Sequence, residues 1–402
     1  MYLEIHNEKL LSLRKSILTF LKQLNYGVSV QRHHNLDFLR AFAMMMGLVI
    51  HAPLLFWAPD FAKVYGIENI APAEEWVNIL GRFISSWRMP LFFSLSGFFA
   101  ILVIERKGIS QFLKDRIIRV GLTCLVFSAL YDISDGRFDY TTMHLWFLYE
   151  LIIFVFCFSI LYKVRFIKNL LGKKISVKFM LIFALWLIST VPLAYILNNW
   201  WHPSALKASS GYFDLKIGNM LYYFSYFLAG VILYSNQNIL IKIQNTKIIF
   251  LLGVLSIFSF FVRVFSDHLT IGQADNLSNV AKMEFDPILV FFNACMIGTN
   301  SVLFCLLFIG LASRFIKSSS AILSWFVELS YPIYIIHIIP ITMMTAVFYN
   351  VGLNQFSILP LTVIAGFTVC VILYYVFIKY TPLNWLINGY SKSPLKIKFL
   401  GA

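Results

Sequence analysis

The sequence predicts an all-α polytopic membrane protein with about ten transmembrane helices and both termini in the cytoplasm. Three observations carry that prediction. Of the 402 residues, 59% are hydrophobic and only 13% are charged, and the mean hydropathy is +0.76, outside the range of a soluble domain. Apolar runs long enough to cross roughly 30 Å of hydrocarbon recur along the whole chain. Lys and Arg alternate between rich and poor in successive loops, as the positive-inside rule requires.

The runs fall at about 37-58, 80-104, 117-134, 145-162, 179-197, 217-235, 248-266, 287-312, 322-347 and 356-379. With the amino terminus inside, 24 of the 33 Lys and Arg lie on the cytoplasmic side and 6 on the other (Lys63, Arg137, Lys207, Lys216, Arg263 and Lys282), while Arg40, Arg82 and Arg88 lie within helices. The net charge of +14 therefore reflects topology. Basic residues dispersed over short loops beside membrane do not form a nucleic-acid surface. Residues 1-34 are expected to be a cytoplasmic amphipathic segment, because charged residues among leucines replace the apolar core and cleavage site of a signal peptide. Residues 35-380 are expected to form one membrane domain, and 381-402 a basic cytoplasmic tail. No internal repeat is visible, which weighs mildly against a secondary transporter. The five cysteines lie in apolar segments without CxxC spacing, so burial is expected for each, and no metal site.

Ionisable residues inside apolar spans are costly and need a reason. The first run, "LDFLRAFAMMMGLVIH", carries Arg40 near its cytoplasmic end and His51 eleven residues on, roughly 16 Å higher at 1.5 Å per residue. Asp37 is one turn before Arg40 and placed to orient it. The second run, "GRFISSWRMPLFFSLSGFF", puts Arg82 at the outer boundary, where snorkelling explains it, and Arg88 two turns deeper. In "HLWFLYE", His144 sits at the outer rim, where an interfacial histidine is the plain alternative, and Glu150 lies one to two turns below. His337 in "SYPIYIIHIIP" falls near mid-membrane. Four helices thus send ionisable groups to the middle and outer part of the domain, and a shared polar cavity is the economical expectation. Glu150 is placed either to pair with Arg88 or to polarise His51. Ser94, Ser96, Pro90 and Gly97 read mainly as packing and bending residues. Trp57, Trp76, Trp87, Trp146, Trp200 and Trp201 read as an outer aromatic belt. On the cytoplasmic side "KDRIIR" sets Arg116 and Arg119 three apart on one face, a topological pair or a bidentate clamp for phosphate.

These motifs together resemble the integral-membrane acyltransferase 3 family. The likeness is carried by "LDFLRAFAMMMGLVIH", "WRMPLFFSLSGFFAILVIERKGISQFLKDRIIR", "HLWFLYELIIF" and "SYPIYIIHIIP", spread from about residue 35 to 340. Within that family the chain is most similar to a branch of succinyltransferases acting on periplasmic glucans. The resemblance implies a ten-helix core, a cytoplasmic acyl-CoA donor that is a substrate and not a tightly bound cofactor, and transfer of an acyl group, succinyl or acetyl, to a carbohydrate hydroxyl at the outer face of the bacterial inner membrane. Its motif arginine and histidine map onto Arg40 and His51, and the arginine of its second-helix motif onto Arg88.

Acyl transfer to a hydroxyl needs a base and a positive partner for the oxyanion. His51 is the candidate base, with its unperturbed pKa of about 6.5, and Arg88 the candidate for the oxyanion. Glu150 is the candidate third member beside His51. Arg40, Arg116 and Arg119 are the candidates on the donor side, and His144, His337 and Asp37 those lining the substrate path. The rival reading is a transporter or flippase of a glycolipid or acylated sugar, in which the same groups bind an anion or relay protons.

Overall fold

The computed structural model describes residues 33–134, 141–164, 175–199, 206, 211–271, 285–390 and 393–396. The chain divides into two compact units, Met1–His34 and Asn35–Ala402. In the first unit only His33 and His34 are described, so the expected amphipathic segment lies outside the described residues, as do Arg137, Lys207, Lys282, Trp200 and Trp201.

Among the described residues the structure is helical, with a lone bridge between Thr141 and Gly211. The long helices are α1 (His34–His51), α2 (Glu75–Arg116), α3 (Thr123–Ser134), α4 (Trp146–Lys163), α5 (Val177–Leu197), α6 (Ile217–Ser235), α7 (Thr246–Ile271), α8 (Pro287–Phe315), α9 (Ala321–Ile336), α10 (Ile338–Asn350) and α11 (Gln355–Leu373). Several starts are written in the sequence. Ser176, Ser320 and Asn354 accept from the backbone N–H groups of Phe179, Leu323 and Ser357, and Asp286 caps α8 ahead of Pro287. Each satisfies a backbone donor that the first helical turn leaves open.

Among the described residues, seven helical stretches are long and apolar enough to cross a membrane, or eight if a bent pair counts as one span. This is a multi-pass membrane protein. The ten apolar runs map onto these helices with three differences. The run at 37-58 is broken near Pro53 into α1 and the short Leu54–Trp57 helix, and α1, carrying Asp37 and Arg40, is not among the seven. The runs at 80-104 and 117-134 share one helical stretch, Glu75–Ile133, turned at Gly108 (φ 81°, ψ 162°), a conformation open to glycine and costly for other residues. A π-helical turn, Ile117–Leu122, joins its last segments. The run at 322-347 is not one helix: α9 and α10 meet at 75°.

The bend has a chemical cause. Pro340 has no N–H to offer the carbonyl four residues back, and Pro332 interrupts the ladder in the same way one helix earlier. Carbonyls freed at the break are taken by side chains. Tyr131 Oη donates to Ile335 O (2.8 Å), His144 Nε2 lies 3.0 Å from the same oxygen, and His337 Nδ1 lies 2.6 Å from Tyr334 O. Two carbonyls at the break, those of Tyr334 and Ile335, are thus satisfied inside the protein, as irregular backbone at membrane depth requires.

The most extensive helix pairing is α2 on α6, followed by α7 on α8 and by α5 against both α6 and α8. The first is set by two glycines facing each other's backbone. A Cβ on Gly97 would come within 1.9 Å of Phe227 O, and one on Gly230 within 1.6 Å of Ser94 O. Small residues let transmembrane backbones approach this closely. Ser96 Oγ donates to Phe92 O (2.9 Å) within α2, in line with a packing role for this segment.

Three expectations are corrected by burial. Arg263 is not an outer-loop charge: it sits inside α7, 2% exposed. Trp87 is not a belt residue, because its ring is buried and stacked on Phe42 with centroids 5.6 Å apart, and packed on Phe308 at 4.5 Å. Of the cysteines, Cys124, Cys305 and Cys370 are buried, but Cys157 is exposed and Cys295 half-buried. In each case an apolar run fixes that a helix forms but not which face meets lipid.

Candidate functional site

The bend at His337 builds the site. His337 is fully buried, and its ring stands 5.2 Å, centroid to centroid, from His51 on α1 and 5.2 Å from His144, which sits in a 3-10 turn, Met143–Leu145, leading into α4. Three imidazoles from distant parts of the chain therefore lie in a row. His144 is not an interfacial histidine: it is 7% exposed, edge-on to Tyr131 at 5.1 Å, and its carbonyl accepts from Tyr334 Oη (2.7 Å).

The hydrogen bonds fix the tautomers. A carbonyl only accepts, so His337 Nδ1 and His144 Nε2 must carry the protons in their bonds to Tyr334 O and Ile335 O. In the neutral rings the lone pairs are then on His337 Nε2 and His144 Nδ1. Neither atom has a hydrogen-bond partner among the described residues.

Arg88 completes the group. It is 6% exposed, it lies near enough to all three imidazoles to act on them electrostatically, and its Nη1 is likewise without a hydrogen-bond partner among the described residues. Gly47, one turn before His51, leaves the room for it. A Cβ there would meet Arg88 Nη1 at 3.1 Å and His337 Nε2 at 3.4 Å. A buried cationic donor and a buried imidazole acceptor thus face one small notch in α1. Together they offer one donor and one acceptor, the complement of a hydroxyl.

Glu150 is fully buried on α4, and its Oε1 accepts from Asn219 Nδ2 of α6 at 2.8 Å. Tyr223 of α6 feels the fields of both Glu150 and Arg88, so the carboxylate belongs to the neighbourhood of the site.

On the other side of the domain, Arg40 Nη2 pairs with Asp37 Oδ1 at 3.3 Å, as the spacing predicts, and the guanidinium lies over the Phe99 ring at 4.8 Å. Arg116, over the Phe112 ring at 5.4 Å, is within electrostatic reach of both Arg40 and Arg119. Arg119 has a second engagement that the sequence does not reveal. Its Nε donates to Ile387 O (3.2 Å), while Thr123 Oγ1 donates to Leu386 O (3.2 Å), docking the short Leu383–Ile387 helix against the π-helical turn. Tyr331 Oη donates to Arg119 O on the same turn.

A second buried polar group lies on α7, beyond the candidates named from the sequence. Asp267 of α7 is wholly buried and contacts Arg82 Nε (3.3 Å), Arg263 Nε (3.9 Å) and the Asn293 amide, while Arg263 Nη1 donates to Ser86 Oγ (2.6 Å). Arg82 also reaches Glu75 (3.2 Å), so it is tied into an ion network and does not simply snorkel. The signal was present as a stripe of Ser256, Ser259, Arg263, Ser266, Asp267 and Thr270, at three- and four-residue spacing along one helix face.

Three imidazoles and a buried arginine gathered on one side, and three clustered arginines on the other, define a multi-pass membrane protein with two concentrations of ionisable groups. The chain belongs to the acyltransferase 3 family, whose family model, described as an acyltransferase domain, matches residues 33–375. It is similar to the glucans biosynthesis protein C of Escherichia coli strain K12, with 27% identity over 236 residues, 51% of this chain and 59% of that protein. The protein of the same name from Escherichia coli O1:K1 / APEC matches to the same extent. The matched region thus spans under two thirds of these relatives. No solved structure matches.

Proposed function

We propose that the protein is an O-acyltransferase of the bacterial inner membrane, moving a succinyl or acetyl group from cytoplasmic acyl-CoA to a hydroxyl of a periplasmic or cell-surface carbohydrate. The observation that supports it most is that Arg88 Nη1, without a hydrogen-bond partner among the described residues, meets His337 at Gly47, with His51 against the His337 ring. In this reading a ten-span domain has both termini in the cytoplasm, and the alternation of Lys and Arg supports that orientation. Arg40, Arg116 and Arg119 then lie at the inner mouth, where guanidinium groups suit the phosphates of CoA. His51 takes the proton of the acceptor hydroxyl as it attacks the thioester carbonyl. Arg88 stabilises the oxyanion, a role that gains strength in a dry, buried setting. Glu150 supports the site from α4. A glucan acceptor is suggested by the name of the relatives.

The test is to incubate purified protein with a panel of acyl-CoAs and a glucan, and to measure free CoA and the mass of the glucan. Acceptor-dependent CoA release with matching mass gain is expected. Movement of a glycolipid across vesicles with no release of CoA would favour the flippase reading instead.

A further inference from the structure

The proposed reaction has two ends, and the site has more imidazoles than one base requires. A hydroxyl must lose a proton on the acceptor side, and a thiolate must gain one on the donor side. Resting on the function proposed above, we infer that His337 is a second catalytic imidazole, which receives the proton from His51 and returns it to the sulfur of the departing CoA.

Placement supports this first. His337 Nε2 lies against Gly47, one turn before His51 on α1 and toward Arg40. The ring of His337 thus meets both His51 and the turn of α1 that leads to the proposed donor side. Centroids 5.2 Å apart, with planes at 43°, put the two rings in direct contact without a hydrogen bond from His337 Nε2, so transfer needs one ring to turn toward the other.

The tautomer supports it second. Tyr334 O holds the proton on Nδ1 of His337, so the neutral ring must present a lone pair at Nε2, where a proton from His51 arrives. After transfer the imidazolium keeps its bond to Tyr334 O and carries the mobile proton on Nε2. The balance closes. The acceptor oxygen forms its bond to the acyl carbon, the carbon–sulfur bond breaks with its electron pair going to sulfur, and the hydroxyl proton ends on that sulfur as a thiol. Both histidines finish neutral, and no other reactant is consumed.

The groups facing His337 are His51 from α1, Arg88 from α2, His144 from the turn before α4, and Tyr334 from its own helix, with Tyr131 of α3 behind His144. None of these is a carboxylate. Among the described residues, a proton placed on His337 is therefore not held by an anion.

The first arm of the experiment uses His337→Gln, a neutral polar side chain that cannot take up a proton and hand it on. The relay predicts that acyl-CoA binding and melting temperature stay near wild type, while turnover falls roughly 100-fold, the scale of a positioned acid–base group. The second arm uses the wild-type protein alone, so that variant folding does not enter. Turnover measured in mixtures of light and heavy water should fall along a bowed line, because two protons move together. Near-normal turnover in His337→Gln, or a straight or flat line for the wild type, would overturn the relay. Failure of the functional reading looks different, since the wild type would then release no CoA when acceptor is added.

Discussion

Arg82 Nε and Asp267 Oδ2 lie 3.3 Å apart, joining the amino-terminal part of α2 to α7 around a carboxylate with no exposure at all. With Arg263 and Asn293 on the same carboxylate, α2, α7 and α8 are tied at one point. Removing one member of a buried ion network strands the rest, at a cost of about 3–5 kcal/mol. Asp267→Leu should therefore lower the melting temperature of detergent-purified protein sharply, and Arg82→Met less, because Arg82 is partly exposed and shares Glu75. Equal stability of Asp267→Leu and wild type would show that the cluster contributes nothing to the fold.

The reciprocal glycines give a second prediction. Gly97→Ala and Gly230→Ala press a methyl group into backbone oxygens and should each destabilise the α2–α6 pairing by about 1–3 kcal/mol or more. Gly253→Ala, where nothing lies within 4 Å, is the control and should be neutral or slightly stabilising in its helix. Thermal melts of the three variants separate close packing from mere helix propensity.

Orientation is open to a direct labelling experiment. In a cysteine-free background, Cys at exposed Lys63 should react with an impermeant thiol reagent in intact cells, and Cys at exposed Ser110 should not. The reverse pattern would invert the domain and move the arginine cluster to the outer face.

The basic pair predicts a kinetic split. Replacing Arg116 and Arg119 together with Gln should raise the donor KM and leave the acceptor KM nearly unchanged, because binding energy common to ground and transition states is what is lost. Arg119 also holds Ile387 O, so Arg119→Gln alone should loosen the Leu383–Ile387 helix, seen as faster amide exchange at its backbone. An unchanged donor KM in folded double variant would leave the pair as topological charges.

How much of this was legible follows from what a linear pattern can carry. Hydropathy exposes apolar runs because the bilayer sets one length for all of them, so the helices stood out. Asp37 and Arg40 paired as read because both partners lie one turn apart on one helix. Contacts between distant helices have no such local signature. His51, His144 and His337 were each visible as costly residues, yet their meeting depends on the 75° bend between α9 and α10, and the proline that makes it also reads as ordinary membrane-helix punctuation. Loop counting places Arg263 outside, because a single basic residue near a span end looks the same whether buried or exposed, and only the fold closes Asp267 and Ser86 around it.

The central claim is that His51 removes the proton from an acceptor hydroxyl inside the membrane domain. Wild-type activity should decline on the acid side as imidazole protonates, and Arg40→Ala should weaken acyl-CoA binding along with turnover. The most direct measurement is the turnover of His51→Ala set beside its acyl-CoA affinity. The account predicts a loss of about 100-fold or more in kcat, with donor binding and expression largely retained. Near-normal turnover with the same acid limb would contradict it and move the base to another imidazole of the row.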